Sequence, residues 1–226
     1  MTMGKLIVFE GIDGSGKSTQ FKRICDRFEA AGVSFRRLAF PQYQEMSSAL
    51  IKMYLAGEFG ADPADVNPYA ASSFFAVDRY ASFVKDWGGY YSGGGLILTD
   101  RYTTSNALHQ GSKLPERKRP AFFKWLYDFE FNKMGMPKPD TVLYLDISVE
   151  TAAARIQNRQ ARTGTDSDIH ERDIEYLKCC ASSGLQAADY YGWKKIACIR
   201  DGKERAAQDV HAEIYELLIS EVPYDK

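Results

Sequence analysis

Short apolar runs rich in β-branched residues, each bounded by turn formers, recur five times: Leu6 to Phe9, Phe35 to Phe40, Leu96 to Thr99, Val142 to Asp146 and Ile196 to Ile199. Their apolar character is close to continuous, not alternating, which predicts strands covered on both faces. Between them the period lengthens to that of a helix. Phe21, Ile24, Cys25 and Phe28 follow i, i+3, i+4, i+7 spacing, and Gly32 supplies a stop. Asn67 and Pro68 have the residue types of an N-cap and first helical position, predicting a helix that runs toward Trp87 and ends at Gly88 and Gly89. Pro120 to Met134 sets Phe122, Phe123, Leu126 and Phe129 on neighbouring turns. Such a stripe is expected to bury apolar area, in a core or at a subunit interface, more than to touch a ligand. Asn158 to Asp168, rich in Arg, Gln, Thr and Asp, reads as a loop and a candidate lid. Strands alternating with helices predict a parallel sheet in a doubly wound α/β fold.

Composition narrows the class. Over 226 residues, 45% hydrophobic and 26% charged, the chain is expected to form one globular domain, since no Pro/Ser-rich linker or repeat divides it. A formal net charge of −1 supplies no global field for a polynucleotide, so any nucleotide chemistry is expected to involve small molecules and a local basic site. The apolar stretch near the start is too short for a signal peptide or membrane span, which sets cytoplasm as the default expectation. The four cysteines, Cys25, Cys179, Cys180 and Cys198, have no zinc or disulfide spacing; the adjacent pair reads as two helical residues, one turned inward.

Chemistry enters at the first strand-to-helix junction. Gly11-Ile12-Asp13-Gly14-Ser15-Gly16-Lys17-Ser18 matches GxxxxGK[ST], the phosphate-binding loop. Triphosphate is densely negative, so the loop must aim several backbone N–H groups inward, and glycines allow that close approach with positive φ. Lys17 then reaches the β- and γ-phosphates, Ser18 offers a hydroxyl to Mg²⁺, and Thr19 can bond an α-phosphate oxygen. The predicted architecture is a P-loop NTPase three-layer sandwich, a five-stranded parallel sheet flanked by helices, with a small lid near residues 158–172. The loop by itself does not separate kinases from GTPases or other ATPases.

Further segments do. Phe9-Glu10 leading into the loop, Phe40-Pro41, Phe75 with Arg79, Asp100-Arg101-Tyr102, Ser105-Asn106, Pro139-Asp140 running into Tyr144-Leu145-Asp146, and His170-Glu171-Arg172-Asp173 occur in an order and spacing that resembles the thymidylate kinase family over most of the chain. The residues independently suit an acceptor site. Phe75 and Arg79, four apart, share a helix face where a ring can stack on a base while the guanidinium bonds its edge; a core Phe beside a surface Arg is the ordinary alternative. Asp100 and Arg101 fall at the carboxyl edge of the third strand, where ligands bind in open α/β sheets; a structural ion pair is the alternative.

The resemblance implies transfer of the ATP γ-phosphoryl group to dTMP, Mg²⁺ as cofactor and a homodimeric assembly. It also implies roles: Arg101 holds the acceptor phosphate, Asp100 lies near it and the Mg²⁺, Asp13 bonds the sugar 3′-hydroxyl, and Asn106 meets the base edge. Phe40, Pro41, Tyr43, Ser105, His109, His170 and Glu171 fall at positions of the acceptor site. Two departures stand out. Gln42 and Tyr43 replace an arginine that many relatives carry after Phe-Pro, and His109 stands where a tyrosine often packs near C2′ of the sugar.

Other readings fit the same residues. A deoxynucleoside kinase would need a carboxylate as general base, and the segment after the second strand holds no acid until Glu45. A monophosphate acceptor is already ionised at neutral pH and needs none. A different nucleoside monophosphate kinase or a nucleotide-dependent switch protein are further alternatives. Transfer between two phosphates calls for an arginine near the transferred group. Some relatives place it in the P-loop, where this chain has Gly14. Arg155, Arg159 and Arg162 are the remaining source, with Arg155 reading as a solvated helix end and Arg159 and Arg162 as candidate catalytic cations beside Lys17 and Arg101.

Overall fold

The computed structural model describes residues 3–163 and 174–219. In chain order, β1 (Lys5–Glu10) feeds α1 (Lys17–Ala30), and β2 (Arg36–Ala39) is followed by α2 (Ala49–Leu55) and α3 (Pro68–Ser82). A π-helical turn (Phe83–Trp87) joins α3 to α4 (Gly88–Ser92); β3 (Leu96–Asp100), α5 (Thr103–His109) and α6 (Arg119–Tyr127) come next. A second π-helical turn (Asp128–Lys133) extends α6 before β4 (Thr141–Asp146), α7 (Val149–Thr163), α8 (Ile174–Tyr191) and β5 (Lys194–Ala197). The two-residue strands β6 (Ile199–Arg200) and β7 (Lys203–Glu204) pair as a hairpin, and α9 (Ala207–Ile219) closes the described chain.

All five predicted strands form, and they make one parallel sheet in the order β2-β3-β1-β4-β5. Side chains of β1 alternate between two cores. Ile7 and Phe9 join Ile24 and Phe28 of α1 together with residues of α8 and α9, while Leu6 and Val8 face Trp87, Tyr91, Tyr102 and Met136. This is the three-layer arrangement expected of continuous apolar strands. The outer strands differ: in β2 and β5 a single residue each, Leu38 and Ile196, is buried. No helix among the described residues is long and apolar enough to cross a membrane.

Two of the predicted helix ends form as their residue types require, and one does not. Asn67 caps α3 by accepting from the Tyr69 N–H at 2.8 Å, with Pro68 at the first position, and Gly32 adopts φ 72° just after α1. Gly88 and Gly89 do not terminate α3. The helix slips into π geometry and runs on to Ser92, with the left-handed turn at Gly94 (φ 93°). Close packing explains Gly88: a Cβ there would sit 2.6 Å from the Phe83 carbonyl oxygen, so the glycine permits the π turn where a stop was expected. Residues 158–163 are likewise helical, as the end of α7, and not loop. Arg, Gln and Ala there are good helix formers, so backbone preference extends the helix.

Of the aromatic stripe, Phe122, Phe123 and Leu126 are buried against Ala107 and Ala187 within the chain. They are core, so no interface is available to them. Cys179 is exposed and Cys180 buried, as the helical reading requires.

Candidate active site

β1 stops at Glu10 and α1 starts at Lys17, leaving six residues to fold back over the carboxyl edge of the sheet. Gly11, Gly14 and Gly16 adopt φ 152°, 78° and 91°. At Gly14 the need is also spatial, since a Cβ would lie 2.3 Å from the Ala152 carbonyl oxygen. This leaves no room for an arginine in the loop. Gly16 forms the α1 N-cap without a side-chain hydrogen bond, so the helix's first N–H groups and its positive dipole end face the loop interior.

A cavity of about 640 Å³ opens in front of this loop, a volume typical of a small-ligand site. Asp13, Gly14, Gly16, Lys17, Ser18 and Thr19 line its donor end. Gly11 and Ser15, also expected at ATP, are buried behind the loop and do not line the cavity; the Ser15 N–H donates to the Ile12 carbonyl and closes the turn. Arg159 reaches the cavity from α7. The Arg162 side chain, His170 and Glu171 lie outside the described residues, as does the rest of the expected lid beyond Thr163.

Arg155 is placed differently from its sequence reading. It is half-buried, and its Nη1 donates to the carbonyls of Gly14 and Ser15, both at 3.0 Å, while Nη2 meets Glu204 Oε1 at 2.5 Å. Instead of a solvated helix end it is a brace that locks α7 and β7 to the phosphate loop. Its spacing from Arg159, one helical turn, carried the signal that both share a face.

The middle of the cavity is an ion-paired junction. Arg101 follows β3 directly in a left-handed conformation, φ 70°, uncommon for a non-glycine residue. Its N–H donates to the Phe9 carbonyl at 3.1 Å and its carbonyl accepts from the Thr99 hydroxyl at 2.8 Å. That turn aims the guanidinium across the sheet edge. Nη2 forms a tight ion pair with Asp13, and Nη1 lies 3.0 Å from His109 Nε2. Lys17 Nζ is 3.3 Å from the same Asp13 oxygen. Burial would raise the Asp13 pKa, but Arg101, Lys17 and His109 overcome it and hold the carboxyl well below its usual range. Arg101 is raised correspondingly: burial works against it, and Asp13, Glu10 and Asp100 prevail.

Glu10 is fully buried and accepts from the Gly11 N–H, the Thr104 hydroxyl and the Ser105 hydroxyl, tying β1 to α5. Ser105 lines the cavity with its hydroxyl turned to that carboxylate. Asp100 does not line the cavity, and its Oδ1 is buried without a hydrogen-bond partner. A hydroxyl at Ser18 and an orphaned carboxylate oxygen at Asp100 are the hard oxygen donors a small divalent cation takes. Among the described residues no cluster of three His, Cys, Asp or Glu forms.

The opposite end is lined by Phe40, Pro41, Tyr43, Phe75, Arg79 and Asn106, with His109 beside Arg101. Phe40-Pro41 is a cis peptide. The alternative reading of the Phe75–Arg79 pair is inverted in the fold: the arginine is 2% exposed, and the phenylalanine stands half-exposed on the cavity wall, edge-on to Tyr54. Arg79 is anchored by Glu130, 0% exposed in the second π-helical turn: Nε meets Oε2 at 2.8 Å and Nη2 meets Oε1 at 2.5 Å. Glu130 also accepts from the Thr103 hydroxyl at 2.7 Å and Asn106 Nδ2 at 3.3 Å. Sequence reasoning passed over Glu130. Its signal was a lone carboxylate inside the run Phe129-Glu130-Phe131, which a core tolerates only with partners. Gln110 was also passed over; it lines the cavity fully buried, both amide atoms without hydrogen-bond partners.

Where tyrosine was expected, His109 is wedged among Arg101, Cys180 (Nδ1 to Sγ 3.6 Å) and the ring of Tyr176. At the replaced arginine, the Gln42 N–H donates to Asp78 Oδ2 at 2.8 Å, so Asp78 fixes this loop and is not free for catalysis.

A glycine loop between a central parallel strand and a helix, with lysine, hydroxyl and arginines converging on one cavity, defines a P-loop phosphotransferase. A thymidylate kinase family model matches residues 9–214, and the chain belongs to that family. It is 37% identical over 172 residues to the thymidylate kinase of Mycobacterium tuberculosis, covering 75% of this chain and 79% of that one. It is also 30% identical to the thymidylate kinase of Caenorhabditis elegans, over 98% of this chain and 94% of the relative. A probable thymidylate kinase of Thermococcus gammatolerans is 28% identical over 97% and 98%.

Proposed function

We propose that the protein transfers the γ-phosphoryl group of ATP to dTMP, giving dTDP and ADP. The observation that carries this reading is the convergence of the phosphate loop and the Phe75–Arg79–Asn106 wall on one cavity, with Arg101 between them. The ATP phosphates rest on the loop N–H groups and the start of α1, with Lys17 offsetting charge at the transferred group. Ser18 and Asp100 would hold Mg²⁺, which supplies charge neutralisation and orients the phosphates. Arg101 clamps the acceptor phosphate, Phe75 stacks on the base, and Arg79 with Asn106 meets its edge. Arg159, from the lid-proximal end of α7, and Arg162 supply cationic charge as transfer proceeds. Asp13 bridges the two ends and bonds the sugar hydroxyl.

Among the described residues the deoxynucleoside kinase alternative finds no free general base. Asp13 is the one carboxylate among the described residues lining the cavity, and two cations hold it acidic, a poor proton acceptor for a neutral hydroxyl. Coupled ADP-release assays against each common nucleoside and nucleoside monophosphate test the proposal. The highest kcat/KM is expected with dTMP; a higher value with thymidine, or with any other monophosphate, overturns it.

We read the assembly as a homodimer. Val77, Tyr80 and Val84 form an exposed apolar stripe along α3 and the turn that follows, while the aromatic stripe of α6 is spent on the core. Sedimentation of Val84→Glu against wild type checks this: a dimer that loses mass in the variant supports the stripe, and a wild-type monomer refutes the assembly.

A further inference from the structure

Among the described residues, Glu130 is the buried carboxylate with most to do and no assigned role. It lies 24 residues from Asn106 and 51 from Arg79 in the chain, yet it holds both. Its four contacts impose a polarity on the wall of the cavity. Two nitrogens of Arg79, Nε and Nη2, are consumed by the carboxylate, and Nη1 is left facing the Tyr102 carbonyl at 3.4 Å with a further N–H to offer. Asn106 is fixed more strictly. Its Nδ2 lies 3.2 Å from the Ser72 carbonyl and 3.3 Å from Glu130 Oε1, both acceptors. Rotating the amide by 180° would set its carbonyl against two oxygens, one charged, so the orientation with Oδ1 toward the cavity is the one the surroundings allow.

The wall therefore shows a donor at Arg79 beside an acceptor at Asn106. We propose that Glu130 is a positioning residue that fixes this donor–acceptor order, and so selects a pyrimidine whose ring N–H stands next to a carbonyl, as in thymine and uracil. Cytosine presents the reverse order, an unprotonated ring nitrogen next to an amino group. Bound there, it would set its amino group against the guanidinium and two lone pairs against each other, leaving buried groups unpaired on both sides. The inference rests on the proposed function, because it assumes that the base lies against this wall.

Glu130→Gln provides the test. Whichever end of the new amide carries nitrogen, that nitrogen meets an Arg79 N–H, and on the Oε1 side it can donate to a flipped Asn106, whose carbonyl is then opposed by Ser72 alone and whose Nδ2 faces the cavity. The readout is the ratio of kcat/KM for dTMP to that for dCMP. A partly unfolded fraction cancels from this ratio, so a loss of stability alone does not move it. The ratio is expected to fall by at least about tenfold, with KM for ATP unchanged, since unpaired polar groups govern such discrimination. Thr103→Val removes one hydrogen bond to Glu130 without removing its charge, and serves if the first variant does not fold; a fall of about two- to threefold is expected there. A wild-type protein that prefers dTMP, with the ratio preserved in whichever variant folds, overturns the role of Glu130. A wild type that does not prefer dTMP over dCMP refutes the proposed function itself.

Discussion

The donor and acceptor ends of the cavity are built on opposite plans. At the donor end, eight consecutive residues bring backbone N–H groups, a lysine and a hydroxyl to one point, and the geometry follows from three glycine torsions and a helix start. At the acceptor end the backbone contributes little. Phe75 and Arg79 come from α3, Arg101 from the end of β3, Asn106 from α5, and the carboxylate that orients two of them from a π-helical turn beyond α6. A triphosphate needs many similar contacts, which a short loop can supply; a base edge needs few contacts of fixed polarity, which buried side chains supply more rigidly. The first plan tolerates change around it, whereas the second makes binding and folding share the same residues.

Breaking each end should show this division. The largest effect is expected at the donor end: Lys17→Ala should lower kcat by about 10³-fold or more, while the thermal midpoint stays close to wild type. Near-normal turnover in the folded variant would refute the assignment of Lys17. At the acceptor end the loss should be double. Arg79→Ala is expected to lower kcat/KM for dTMP by about 2 to 4 kcal/mol, and to cost about 3 to 5 kcal/mol of stability by leaving Glu130 buried and uncompensated. Urea unfolding alongside kinetics checks it, and a fully stable Arg79→Ala would show that the ion pair is not structural.

The α7 arginines should separate from one another. Arg159→Ala, or its double variant with Arg162→Ala, is expected to reduce kcat at least about tenfold, roughly 1.4 kcal/mol of barrier, with little change in ATP binding. Arg155→Ala, which frees the Gly14 and Ser15 carbonyls, should instead raise KM for ATP. Kinetics with ATP as the varied substrate would erase the distinction if both changes moved the same constant.

The smallest expected effect sits at the junction. Asp13 has a folded pKa held below its unfolded value, so its stabilising contribution is full above about pH 4 and is lost as pH falls through the folded value. Asp13→Asn should therefore flatten the fall of stability with acid below that pH. Parallel wild-type and variant curves there would show that the junction does not couple to folding.

Much of this was written in local sequence. Five strands, the phosphate loop, the Asn67-Pro68 helix start and the Gly32 stop depend on the period of apolar positions and on torsions a few residues apart, and they appear in the fold where they were read, except that the fifth strand runs Lys194–Ala197 and leaves Ile199 to the hairpin. Gly88 misled because a glycine signals a stop or close packing alike, and the Phe83 carbonyl, brought near by the π turn itself, decided which. Arg155 misled because its partners are loop carbonyls about 140 residues upstream. Glu130 gave only the anomaly of a charge in an apolar run. Which groups a charge neutralises, which way an amide faces and whether an arginine is surface or core depend on desolvation by distant segments, and no spacing along the chain records that. Local spacing along the chain suffices for the sheet and the glycine loop. Only packing between distant segments sets the polarity of the Arg79–Asn106 wall.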